Sequence, residues 1–378
     1  MQKGANLETI KDGNCKLVLS CLQNQQVSRA EIADITGLAR STVTAITKDL
    51  IAKGQICEVG TESTAIGRSP ILLDIVKDYR YVMGILLHRR EIAVCIVNLK
   101  MECLEAISLP ISQVESPQQA IQWAFDQGKS IFSKHKIAWE KCAAIGINSP
   151  GPLNSKTGEI FNPPDFNLFH YFNPVEYLSS LCNIPIHVSN ASILMAVYET
   201  QQNKSLTDFL FVVIDRGVGS AIVQNGQIFH GGNGFAGEFG HMSVDINGKL
   251  CTCGNRGCLE GYITRKAIEE QFHLDSYPEM IDRAYEGDSS AMDVLDHIAR
   301  LFAMAITNAV NLLDMDVVVI AGELNYRHEL LFSRIQARVN QSIIRPKGFP
   351  LKVVPSDITK DGNISYITSV ALQKYFNP

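Results

Sequence analysis

No apolar run in the sequence approaches the roughly 18 residues that a membrane span requires. The opening residues, MQKGANLETIKDGNC, lack the apolar segment of a secretory signal. The expectation is a cytoplasmic protein with no membrane partner. An excess of positive charge is also missing. The chain carries 34 basic side chains against 39 acidic ones, a formal net charge of −5, which excludes a protein coated in basic surface and confines any nucleic-acid site to a local patch. Charged residues are only 19% of the 378 and hydrophobic ones 46%. That balance excludes disorder and allows a large core in more than one domain. Low-complexity tracts and short-period repeats are absent. Ten cysteines are present, but seven (Cys15, Cys21, Cys57, Cys95, Cys103, Cys142, Cys182) are scattered among apolar runs and only Cys251, Cys253 and Cys258 cluster. This distribution points to reduced thiols and one metal site rather than a disulfide framework.

Residues 1–78 read as three helices and a hairpin. Leu17, Val18, Cys21 and Leu22 make one apolar helical face. Ser28 with Glu31 forms a capping box opening a second helix to about Thr36, where Gly37 breaks it. A third segment from Arg40 to about Ala52 places Val43, Ile46 and Leu50 on one side and Arg40, Thr44, Thr47 and Lys48 on the other. Strands over Ile56–Val59 and Ile71–Ile75, joined by the polar loop GTESTAIGRSP, complete a winged arrangement. A helix, a tight turn and a second helix with a polar outer face suit the major groove, with Arg29, Arg40, Ser41, Thr42, Thr44, Thr47 and Lys48 as candidate DNA contacts and Arg68 of the wing reaching a minor groove. Residues 1–80 carry ten Lys/Arg and nine Asp/Glu, a net of +1, so binding calls for a homodimer or a dimer of dimers to multiply the contacts.

From about Tyr79 strands alternate with helices. YVMGILLH, EIAVCIVNL and ECLEAISLP read as three sequential strands, followed by a helix over Gln118–Phe132 and a buried strand over Cys142–Ile147. IPIHVS is a further strand and Ala191 to about Gln202 a helix. FLFVVID and SAIVQNG open a second strand set, and the periodic segment Ala291–Leu313 is a long helix leading into the strand DVVVIAG. The two strand-rich halves suggest a structural duplication.

His241, Cys251, Cys253 and Cys258 stand in GHMSVDINGKLCTCGNRGCLEG. Three thiolates and an imidazole satisfy tetrahedral Zn²⁺, and Gly254 and Gly257 let the chain fold tightly round the ion. With all four positions filled by protein, no bound water is left to activate, so the metal is expected to be structural.

At these residues the sequence resembles the ROK family of repressors, open reading frames and sugar kinases. GGNGFAGEFGHMSVD, CTCGNRGCLEGY, AAIGINSPGPLN and RAEIADITGLARSTVTAITKDLIAKGQI carry the resemblance. It implies an α/β fold: a winged helix-turn-helix over 1–78, then a two-lobed, actin-like (ribonuclease H-like) sugar-binding domain with a zinc loop. The first lobe would span 79–190, completed by 366–378, and the second 191–365, with a sugar bound between them. The ligand-binding positions it implies are Asn190, Glu238, His241 and Glu260.

The departures from the family pattern point to the repressor branch. The kinases' aspartate, which takes the proton from the sugar hydroxyl, is replaced by Ala191. The first phosphate loop is replaced by GILLHRRE, the second has become IDRGVGS with Asp215 and Arg216, and the adenosine segment reads IAGEL. The expectation is a sugar-responsive repressor that binds no ATP and has no catalytic residues. The alternatives are an ATP-dependent sugar kinase with an added DNA-binding domain, and a regulator controlled by a partner protein. Ala39 stands where a capping serine is usual, which leaves Ser41 as an alternative cap two residues later.

Overall fold

The computed structural model describes residues 7–23, 25–61, 70–203, 205–232, 234–346, 348–356, 358 and 364–376. The chain divides into two compact units, 1–190 with 364–378, and 191–363.

The first unit opens with α1 (Leu7–Leu22), β1 (Val27–Ser28), α2 (Arg29–Thr36), α3 (Arg40–Ala52), β2 (Ile56–Thr61) and β3 (Ile71–Ile75). The Ser28 hydroxyl accepts the Glu31 amide, and the Glu31 carboxylate accepts the Ser28 amide and hydroxyl. These bonds hold the Glu31 carboxyl below its usual range. The reciprocal cap starts α2, and Gly37, in the left-handed conformation, ends it. Val18, Cys21, Leu22, Ile32, Val43, Ile46 and Leu50 are buried together with Ile56, Leu73 and Ile75 of a three-stranded sheet in the order β1-β3-β2, while Leu17 stays partly exposed. Helix α3 starts at Arg40 behind Ala39, which makes no side-chain cap. Ser41 therefore lies inside the first turn and is not the cap. Most of the loop between β2 and β3, with Arg68, lies outside the described residues.

The first lobe follows with β4 (Tyr81–Leu87), β5 (Glu91–Asn98), β6 (Cys103–Pro110), α4 (Pro117–Lys134), β7 (Cys142–Asn148), α5 (Pro174–Leu181) and β8 (Ile186–Ser189). Its sheet runs β6-β5-β4-β7-β8, antiparallel through the first three strands and parallel from β4 to β8. Strands β4 and β5 are buried along almost their whole length, which explains their unbroken apolar runs. Ala120, Ile121, Ala124, Phe125, Ile131 and Phe132 of α4 pack in the sheet's core. Residues 364–376 return to the same sheet: Ile367 shares a small core with Leu86 and Ala93, and a Cβ on Gly146 would stand 2.7 Å from the Ile367 carbonyl oxygen. The strand must be bare at Gly146 for this return.

The N-terminal domain is keyed to this lobe. In the β5–β6 turn, Lys100 Nζ lies 2.6 Å from Asp74 Oδ1 of β3 and donates to the Leu22 carbonyl at the end of α1, 3.1 Å away. Both charged side chains are largely shielded. The turn itself is held by Asn98, whose Oδ1 accepts the amides of Lys100 and Glu102. Lys100→Met keeps the aliphatic stem and deletes the charge. It should destabilise this junction by about 1.5–3 kcal/mol, the usual worth of a hydrogen bond to a charged group. Amide exchange should rise at residues 71–75 and the end of α1 and stay unchanged in the second unit; unchanged protection throughout would overturn the assignment.

The second unit contains α6 (Ala191–Gln202), β9 (Phe209–Ile214), β10 (Val218–Gln224), β11 (Gln227–Ile228), α7 (Glu260–Ile263), α8 (Arg265–Phe272), α9 (Tyr277–Tyr285), α10 (Ser289–Leu313), β12 (Val317–Gly322), α11 (Glu329–Ser342) and β13 (Lys352–Pro355). Its sheet order, β11-β10-β9-β12-β13, repeats that of the first lobe: a meander whose first strand pairs in parallel with the fourth, and the fourth with the fifth. The suggested duplication is present as topology. The 25-residue α10 puts Val294, Leu295, Ile298, Phe302 and Ile306 into the unit's core, as its 3.6-residue apolar period requires. No helix among the described residues is long and apolar enough to cross a membrane.

Candidate metal centre and nucleic-acid interface

Phe239–His241 form a short 3-10 turn, after which the chain makes an excursion and returns at Cys258. The excursion is closed by backbone bonds: the Val244 amide donates to the Gly257 carbonyl, the Gly257 amide to Lys249, and the Leu259 amide to Met242. Gly257 has φ +69°, and a Cβ there would sit 1.8 Å from the Asp245 carbonyl oxygen. Only glycine fits.

This folding gathers His241, Cys251, Cys253 and Cys258, with one potential ligand atom from each lying within 4.8 Å of the others. Cys251 Sγ is 3.7 Å from His241 Nδ1, and Cys253 Sγ is 3.7 Å from Cys258 Sγ. Zinc–sulfur arms of about 2.3 Å give a tetrahedral edge of about 3.8 Å, so the donors fit a four-coordinate ion. Cys258 is buried and Cys253 exposed. Burial, above all, pushes the Cys258 thiol up to about 12, whereas hydrogen bonding, led by the Asn255 backbone, lowers that of Cys253. None of the ten cysteines is in a disulfide.

The neighbouring acids are placed by the same fold. Glu238 stands at the position before the 3-10 turn, makes no side-chain cap to it, and is exposed. Glu260, two residues beyond Cys258, opens α7, and its Oε2 accepts the Val218 amide at 2.8 Å. A carboxylate has four lone-pair positions, so this bond leaves acceptors over. It pins the turn between β9 and β10, where Asp215 and Arg216 are exposed. In the first unit, Leu86, Asn148 and Ser189 stand in register at the carboxyl ends of β4, β7 and β8, and Asn190 follows directly. That edge of a parallel sheet is where ligands bind in α/β folds. Ala191 opens α6, and its methyl group can accept no proton.

At the nucleic-acid face, Arg40, Ser41, Thr44 and Lys48 of α3 are exposed and Thr42 is half-buried. Thr44 Oγ1 donates to the Arg40 carbonyl. Thr47 departs from expectation: it is fully buried and bonded to Arg29, so it lies off the exposed face. Its spacing contained the signal, since it follows Val43 by one helical turn and Ile46 by one residue; its polarity masked it. Ala45, exposed beside Thr44, is a face residue that the charge and hydroxyl pattern did not single out.

Comparison with known proteins agrees with this architecture. The ROK family profile matches residues 82–364, and a winged helix-turn-helix DNA-binding profile matches residues 16–56. The chain is 24% identical over 379 residues to the xylose repressor of Bacillus spizizenii, covering 97% of both proteins. It is 28% identical over 373 residues to the DNA-binding transcriptional dual regulator NagC of Escherichia coli K12, covering 93% of this chain and 91% of NagC. A solved ROK family transcriptional regulator, a homologue of the E. coli MLC protein, superposes with a TM-score of 0.81 at 23% identity over 97% of each chain. The ROK hexokinase of Thermus thermophilus superposes with a TM-score of 0.64 at 21% identity, covering 78% of this chain and 99% of the enzyme. The named relatives are regulators, and the fold is shared with kinases. With the family profile spanning most of the chain behind a winged helix-turn-helix, the protein belongs to the ROK family.

Proposed function

We propose that the chain is a DNA-binding transcriptional repressor that releases its operator when a sugar or sugar derivative binds. It would act as a homodimer or dimer of dimers, with a structural Zn²⁺ on His241, Cys251, Cys253 and Cys258 and no phosphoryl-transfer chemistry. The observation that carries this reading is the winged helix-turn-helix itself, with Arg40, Ser41, Thr44 and Lys48 exposed along α3. A major groove admits such a helix, and arginine or lysine reads guanine or neutralises phosphate there. The net charge of +1 on residues 1–80 is small for a monomeric DNA binder, which favours a two-fold-related site.

Asn190, Glu238, His241 and Glu260 are the proposed sugar contacts. The hydroxyls of a sugar donate to carboxylates, and a histidine whose Nδ1 faces a metal retains Nε2 for ligand. The sugars named by the relatives differ or are unstated, so the panel to test spans pentoses, hexoses, amino sugars and sugar phosphates. The effector can change DNA affinity only through different affinities for two protein states.

The test is binding to labelled fragments from the protein's own genomic neighbourhood, with and without that panel. Arg40→Ala and Lys48→Ala are each expected to weaken operator binding by about 1–3 kcal/mol. A wild-type protein with no preference for any such fragment over random DNA would sink the proposal.

A further inference from the structure

One side chain joins three elements of the N-terminal domain. Arg29, the first residue of α2, donates from Nε to Thr47 Oγ1 of α3 at 3.1 Å and from a terminal nitrogen to Glu58 Oε1 of β2 at 2.9 Å. The hydroxyl of Thr47 both donates and accepts in this arrangement. Its proton goes to the Thr44 carbonyl, 3.2 Å away, and its lone pair accepts Arg29. Thr47 is completely buried, and the Arg29 side chain is 29% exposed.

We infer that Arg29 is a positioning residue: it sets the angle between the recognition helix α3 and the wing strand β2, and does not itself touch DNA. The inference rests on the operator-binding reading above. A guanidinium is a rigid planar fork that can hold two acceptors on separate elements at fixed separation, which a lysine ammonium on a flexible stem does not reproduce. The capping box at Ser28 and Glu31 fixes the start of α2 and so the base of the fork. Glu58 partly neutralises Arg29, so this cation contributes little to the counterion release that drives non-specific DNA binding.

The test uses the full chain and compares operator with random DNA over a salt series. Arg29→Lys and Thr47→Val are expected to lower operator affinity on the order of tenfold, the equivalent of one hydrogen bond to a charged group. They should leave random-DNA affinity and the salt slope unchanged, so that the specificity ratio falls. Arg40→Ala and Lys48→Ala should instead flatten the slope by about 0.9 for each phosphate that is no longer neutralised. Thr47→Ser, which restores the hydroxyl, should recover wild-type operator affinity. A loss of folded protein would lower operator and random-DNA binding together, and melting curves identify it. If Arg29→Lys does not fold, the Thr47→Val and Thr47→Ser pair carries the test. Wild-type specificity in Thr47→Val or Arg29→Lys overturns the assignment. Failure of the wild type to select an operator overturns the function, a separate outcome.

Discussion

Cys258→Ser is expected to reduce bound metal from one equivalent per chain to nearly none and to unfold the segment between His241 and Glu260 while the rest of the protein stays folded. Little else holds that segment. Between its ends the large apolar side chains face outward, Ile246 at 84% exposure and Leu250 at 69%; the apolar anchors, Met242 and Val244 after His241 and Leu259 before Glu260, lie at the two ends of the excursion. Ordering each backbone residue costs roughly 1–2 kcal/mol, which the segment's hydrogen bonds, each worth about 0.5–1.5 kcal/mol net, do not offset by themselves. A structural zinc supplies apparent binding energies of about 10–16 kcal/mol in zinc-finger peptides, enough to decide the matter. Cys258 is the donor to remove because it is buried where Cys253 is exposed. The consequence extends to the ligand: Glu238 precedes His241 by three residues and Glu260 follows Cys258 by two, so the proposed sugar contacts should lose their placement with the metal. Metal analysis and amide exchange on protein purified without added zinc check this. Well under one equivalent in the wild type, or full protection of residues 241–260 in Cys258→Ser, would refute it.

No ATP is expected to be consumed with any sugar, and Ala191→Asp should not create turnover. A positioned general base contributes about 10²- to 10⁴-fold, so its absence alone leaves a residual rate. The larger loss is in nucleotide positioning, where well-oriented reactants gain about 7–11 kcal/mol. The turn after β4 carries His88, Arg89 and Arg90, with Arg89 donating to the Pro164 carbonyl. The turn after β9 presents exposed Asp215, whose charge repels phosphate. Restoring one carboxylate repairs neither turn. Sugar binding should instead be read in DNA release: an effector that frees the operator from wild type should do so at least tenfold less well with Glu238→Ala, since truncation leaves a sugar hydroxyl without its charged acceptor. ATP consumption above background would return the chain to the kinases. Release unaffected by Glu238→Ala would displace the proposed site.

Local chemistry made much of this protein legible without coordinates. The capping box at Ser28, the apolar period of α3 and that of the long α10 depend on residues within one or two turns of each other, and the metal-type donors His241, Cys251, Cys253 and Cys258 stand within 18 consecutive residues. Helix and strand periods and metal-donor sets are local quantities. Ala191 and Asp215 were legible only against the kinase pattern of the family that the sequence resembles. What the sequence alone left open depends on residues far apart in the chain. Thr47 looked like a surface hydroxyl because its partner, Arg29, lies 18 residues away and meets it only when α2 crosses α3. Lys100 carried no motif, yet the β5–β6 turn brings it to Asp74 and the end of α1. A duplication, and a first lobe completed by the C-terminal residues, were expected from the strand pattern and the family resemblance; the strand order itself, and the contact of Ile367 over a bare Gly146, were decided by tertiary packing. A period shows which face of an element is buried, but pairing order and the partner of a buried polar group emerge only when separate elements close on one another and each desolvated donor must find an acceptor.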